Sequence, residues 1–176
     1  MSFFKDDLKN IKALLFDVDG VLSSDTSPVD VNGDPMRTAN VKDGFAIRLA
    51  LEAGLQIGVI TGGAQDSVRL RHHKLGVRHY YDNVRNKVEA LQDFISKTGI
   101  PAKEILFMGD DLVDLGIMQQ VGIATCPADA VPEIKLVSRY VSDRNGGSGC
   151  VRDIIEQVMR AQGKWFVGGV IPKQAI

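Results

Sequence analysis

Short apolar runs alternate with longer amphipathic stretches along nearly the whole chain, and this alternation limits the fold more than any other feature. IKALLFDV, LQIGVIT, HYYD, EILFMGD, IATCPA and YVSD read as strands. DGFAIRLALEAG, AQDSVRLRHHKLG, KVEALQDFISKTG, DLVDLGIMQQVG and CVRDIIEQVMRAQG read as the helices that separate and follow them. A strand covered on both faces needs apolar side chains at every position, whereas a helix keeps its 3.6-residue period. Strands of the first kind joined by helices form βαβ units. The pattern therefore predicts an α/β fold: a doubly wound, mainly parallel sheet with helices on both faces.

One segment breaks the alternation. SPVDVNGDPMRTANVKDG contains Asn32-Gly33, a signal for a two-residue type I′ hairpin turn. A lone hairpin is marginal in water, so this one is expected to pack against another subunit. The 176 residues are divided here into one domain, 1–164, and a C-terminal tail, 165–176, whose apolar content around Gly168-Gly169 suits a lid. A net charge of -1 gives no electrostatic case for nucleic acid or an anionic membrane, and no apolar run reaches a membrane span. The start, MSFFKDDLKN, lacks a signal peptide's apolar region, and Cys126 and Cys150 have no metal-ligand spacing. These features point to a cytoplasmic protein with reduced thiols.

Ligands of a parallel sheet bind beyond the carboxyl ends of its strands. Asp17 and Asp19 stand at the end of the first run, and Thr61, Gly62 and Gly63 at the end of the second. Lys87 opens a helix, and Asp110, Asp111 and Asp114 follow EILFMG. The fold would gather them at one edge. Carboxylates so crowded repel each other unless a cation neutralises them, and magnesium suits one or two carboxylates, waters and a phosphate oxygen. A carboxylate there can attack phosphorus, and a second can protonate the leaving oxygen and then activate water. Thr61 and the Gly62 N–H can hold phosphate oxygens, with Lys87 as a fixed positive charge. Taken singly, each motif has a plainer reading. DVDG is a common turn, ITGG a common strand–helix junction, and GDDLVD an ordinary acidic helix start. A calcium loop fails, because Val21 and Leu22 occupy positions that need a ligand and a glycine.

The set Asp17-Val18-Asp19-Gly20, Thr61, Lys87 and Gly109-Asp110-Asp111-Leu112-Val113-Asp114, in that order, resembles the haloacid dehalogenase superfamily of phosphatases. The resemblance implies a Rossmann-like sheet, with Asp17 as nucleophile, Asp19 as general acid/base, and Thr61 and Lys87 on the phosphate. It also implies Mg2+ on Asp17, the Asp19 backbone carbonyl and Asp110, supported by Asp114 or Asp111. The intervals between Asp17, Thr61 and Lys87 leave no room for a cap domain. VKDG and GGSGCVRDIIEQVMRAQGK are similar to the capless, tetrameric phosphatases of 3-deoxy-D-manno-octulosonate 8-phosphate, in which hairpins form a central barrel and a neighbour covers the site. The implied activity is phosphomonoester hydrolysis of that anionic sugar phosphate, in lipopolysaccharide sugar synthesis. Gly63 departs from that pattern, since many of these relatives carry Arg there. Relatives acting on the nine-carbon 3-deoxy-nonulosonate 9-phosphate usually carry Glu, and a nine-carbon substrate is the alternative.

Arg71 and Lys74 lie on one helix face and are candidates for the substrate's carboxylate, the resemblance turning this helix toward a neighbour's site. A solvated basic face is the plainer reading. GGSG at 146–149 suits either a flexible loop or a close backbone approach to substrate. Two readings of another class are a phospho-acceptor receiver switch and a non-catalytic oligomerisation domain. The early DxD and late DDxxD run against a receiver's order, and an oligomerisation domain leaves the carboxylates without purpose.

Overall fold

The computed structural model describes residues 4–165. After α1 (Phe4–Asp7) come β1 (Ala13–Phe16), α2 (Val41–Glu52), β2 (Gln56–Ile60), α3 (Asp66–Lys74), β3 (His79–Tyr81) and α4 (Lys87–Thr98). Then follow β4 (Ile105–Met108), α5 (Leu115–Met118), β5 (Ile123–Cys126), α6 (Pro132–Val137), β6 (Tyr140–Val141) and α7 (Cys150–Ala161). The six strands form one sheet in the order β3-β2-β1-β4-β5-β6, every neighbouring pair parallel.

β1 shows why the strands read as unbroken apolar runs. Leu14 and Phe16 enter a core with residues of α2 and α7, while Ala13 and Leu15 enter a second core with residues of α4, α5 and α6. Alternate side chains of a strand point to opposite faces, so a sheet covered on both needs apolar residues at each position. At the carboxyl edge the ladder runs one residue further. The Asp17 N–H donates to the Met108 carbonyl (3.1 Å), that of Thr61 to Tyr81 (2.9 Å) and that of Gly109 to Thr125 (3.2 Å). The functional candidates thus begin where the strands end, on backbone that the sheet still holds.

No cap domain is inserted. Between Asp17 and Thr61 lie the hairpin segment, α2 and β2, and between Thr61 and Lys87 only α3 and β3. The hairpin forms, but not with the expected type I′ turn. Gly33 alone takes positive φ (85°), its N–H bonds to the Asp30 carbonyl, and that of Asp30 bonds to the Asp34 carbonyl. This is a three-residue loop with the glycine as bulge, and the Asp30 carboxylate accepts from the N–H groups of Asn32 and Asp34. That carboxylate offers the turn its own acceptor, which favours the longer loop. Pairing is limited to the bridge Val29–Pro35, and Val29, Val31 and Met36 are exposed.

The two sequence stretches VKDG and GGSGCVRD meet in space. The Asp43 carboxylate accepts from the Arg152 N–H at the start of α7, and the Asn40 amide donates to the Gly147 carbonyl. A Cβ on Gly146 would stand 2.0 Å from the Gly20 carbonyl oxygen. GGSG is therefore a close backbone approach, but to the loop after β1. Trp165, the first residue of the expected tail, is buried in the core of α2 and α7 beside Arg152 and Arg160. The rest of the tail, 166–176, lies outside the described residues.

Candidate active site

Asp17 is buried at the tip of β1, and its Oδ2 pairs with the Lys87 Nζ at 2.7 Å. Lys87 is the first residue of α4, fixed there by Asn86, whose side chain caps the helix through the Val88 N–H. The same ammonium pairs with Oδ1 of the fully buried Asp114 at 2.6 Å. Asp114 in turn accepts from the Asp110 N–H through Oδ2 (3.0 Å), which ties the loop after β4 to the lysine. Carboxylate oxygens of Asp17, Asp110 and Asp114 all lie within 4.8 Å of one another. The loops must be tight to allow this: Gly20 takes φ 73°, and a Cβ there would stand 1.9 Å from Asp110 Oδ2.

Asp19 points into the same mouth, about half exposed, and both its oxygens are held by Arg37 (Nε–Oδ1 2.7 Å, Nη2–Oδ2 2.8 Å). Thr61 is buried, and its Oγ1 accepts from the Gly63 N–H at 3.1 Å, shaping the ITGG turn. These residues surround a cavity of about 490 Å3, lined by Asp17, Asp19, Arg37, Gly62, Gly63 and Lys87, with Asp110 and Asp111 at its edge. A larger hollow of about 940 Å3 lies at the amino edge of the sheet, but its Lys9, Lys12 and Lys97 are already paired with acids.

Three comparisons with known proteins bear on this arrangement. Residues 72–154 match the haloacid dehalogenase-like hydrolase family. The chain is 37% identical over 156 residues to the 3-deoxy-D-manno-octulosonate 8-phosphate phosphatase KdsC of Escherichia coli K12, covering 89% of this chain and 83% of that one. The chain belongs to the haloacid dehalogenase-like hydrolases. Solved structures agree with the assignment. The Moraxella catarrhalis 3-deoxy-D-manno-octulosonate 8-phosphate phosphatase, in complex with magnesium, phosphate and KDO, superposes with a TM-score of 0.86 at 29% identity, covering 90% of this chain and 91% of that one. The cobalt-bound phosphatase of Haemophilus influenzae gives 0.88 at 31% identity, covering 93% and 96%.

As a hydrolase of this family the protein is a phosphoric monoester hydrolase with magnesium as cofactor, and its carboxylates fit that ion. Burial first, and then the Asp114 carboxylate, push Asp17 up to about 7 against the pull of Lys87. Burial first, and then Asp17, push Asp110 up to about 8. Burial pulls Lys87 down, but Asp17 and Asp114 outweigh it and hold the ammonium above its usual range. One lysine shared among three acids leaves the cluster short of positive charge, and a hard divalent cation supplies what is missing.

The other candidates divide. Asp111 is exposed and turns its carboxylate to the Leu112 N–H as a cap, away from the three converging acids. Arg71 and Lys74 do not line the cavity beside Asp17 and Asp19. Arg71 lines a separate hollow of about 210 Å3 with Asn40, Asp43 and Gly44. Arg37 was not legible in the sequence. It sits on the hairpin's return strand, where a basic residue reads as solvated surface, and no local spacing links it to Asp19. Gly63 was legible as a departure, and the structure gives it a use: a Cβ there would lie 2.4 Å from Arg37 Nη2. The guanidinium occupies the space a side chain would need.

Proposed function

We propose that the chain hydrolyses the phosphomonoester of an anionic sugar acid, 3-deoxy-D-manno-octulosonate 8-phosphate, in the cytoplasm and in lipopolysaccharide sugar synthesis. The observation that carries this is the Asp17–Lys87–Asp114 network set beside Asp19 at one mouth, in a chain 37% identical over 156 residues to a phosphatase of that name. Asp17 Oδ attacks phosphorus and forms an aspartyl-phosphate as the sugar oxygen leaves. Asp19 gives that oxygen its proton and afterwards takes one from the attacking water. Thr61 and the Gly62 N–H hold phosphoryl oxygens, the Gly63 N–H fixes the Thr61 hydroxyl for that task, and Lys87 adds a fixed charge. Asp17, the Asp19 carbonyl and Asp110 would hold magnesium, with Asp114 orienting the set from behind and Asp111 outside it. Held there, magnesium would supply positive charge against the phosphoryl oxygens.

The open mouth and the exposed hairpin residues Val29, Val31 and Met36 support a homotetramer in which hairpins pair and a neighbour covers each site. Arg71 and Lys74 would then face that neighbour's substrate. Phosphate release from the eight-carbon acid phosphate, its nine-carbon counterpart and sugar phosphates lacking a carboxylate tests the assignment. The eight-carbon acid should give the highest kcat/KM. A preference for the nine-carbon acid, or equal rates on all, would overturn it.

A further inference from the structure

Arg37 is the feature of the mouth that the mechanism leaves without a task. Its side chain is 9% exposed, whereas that of the carboxylate it holds is 47% exposed. Such a pair occupies both Asp19 oxygens, one of which must meet the leaving oxygen of the substrate. The guanidinium presents five N–H donors in a rigid fork suited to carboxylate and phosphate alike. Nε and one N–H of Nη2 serve Asp19, and Nη1 has no hydrogen-bond partner among the described residues. Gly63, next to the Thr61-Gly62 turn expected to hold phosphate, leaves the fork its place. The cation therefore stands at the boundary between the acid/base and the phosphate turn.

We propose that Arg37 is a substrate-binding residue kept in reserve: Asp19 holds its guanidinium in the free enzyme, and anionic oxygens of the incoming substrate take it over, which frees the Asp19 carboxylate to take up a proton from solvent and pass it to the leaving oxygen. The exchange replaces one charge-assisted pair by another, so its cost is small. It also links the release of Asp19 to the arrival of an anion. This rests on the phosphatase reading of the site and adds a residue that selects among its substrates.

The test is equilibrium binding by calorimetry in an Asp17→Asn background with magnesium, using the octulosonate 8-phosphate and p-nitrophenyl phosphate as probes. Arg37→Gln should weaken binding by about tenfold or more, the scale of a lost charged hydrogen-bond pair, and Arg37→Lys by less. Asp19→Asn should tighten binding several-fold by freeing the guanidinium, and this gain should vanish when Arg37→Gln is added. Loss on both probes assigns the exchange to the phosphoryl group; loss on the sugar acid alone assigns it to the carboxylate. Unchanged binding in Arg37→Gln, or a gain from Asp19→Asn that persists without Arg37, would overturn the proposal. Thermal denaturation of each variant checks that it is folded. If no variant binds the octulosonate phosphate, the substrate reading fails, while the aryl phosphate still reports on Arg37.

Discussion

Asp17 and Asp110 carry the pH dependence that most directly reports the metal-free site. Both sit above the ordinary carboxylate range, at about 7 and about 8, through burial and mutual repulsion. Between roughly pH 4 and pH 8 the folded, metal-free site therefore keeps protons that the unfolded chain has released. The site's own contribution to stability is present at low pH and is lost as pH rises through that window. Magnesium reverses the balance, because its ligands must be deprotonated and it binds only the folded arrangement. The rise in Tm on adding magnesium should be larger at pH 8 than at pH 5.5, measured by calorimetry against chelator-treated protein. It should shrink at both pH values in Asp110→Asn. A magnesium effect independent of pH would mean that these acids are not what the ion meets.

At the scale of elements, the edge of the sheet was legible because both signals for it are local. Apolar runs mark where strands lie, and the polar residues that end them mark the carboxyl edge. All six strands stand where the runs place them, β6 included. α5 is the exception: DLVDLGIMQQVG yields a 3-10 turn over Leu112–Asp114 and only Leu115–Met118 as α-helix. Asp114 is drawn inward to Lys87 and the Asp110 N–H, and that tertiary demand limits the helix. α6 was missed because PEIKLV is too short to show a period. Arg37 and the GGSG contact were missed for a different reason. Both depend on chain segments far apart in sequence, and no single window contains them. The GGSG contact carries its own prediction. Gly146→Ala places a Cβ against the Gly20 carbonyl, backbone on both sides, and should cost about 1–3 kcal/mol of stability. Activity should fall as well, because Gly20 touches Asp110. Unchanged Tm and unchanged phosphate release in that variant would show that the loop yields freely.

The whole molecule is a capless sheet with an open mouth at Asp17 and Asp19, and among its described residues no helix is long and apolar enough to cross a membrane. Openness gives the hairpin its proposed role. Val31→Asp puts a charge where hairpins would pair, so light scattering should show the tetramer reduced to smaller species, with lower activity on the sugar phosphate. A wild-type protein that is monomeric and fully active would refute the shared site. The molecule is a magnesium-dependent phosphomonoesterase, and Asp17 is its proposed nucleophile. Steady-state phosphate release from the octulosonate phosphate, by wild type and Asp17→Asn in parallel with magnesium, tests this assignment most directly. Asn keeps the shape of the side chain and removes its nucleophilic charge, so the account predicts multiple turnovers by wild type and a fall of about a thousandfold or more in the variant. Turnover by Asp17→Asn close to that of wild type would contradict it.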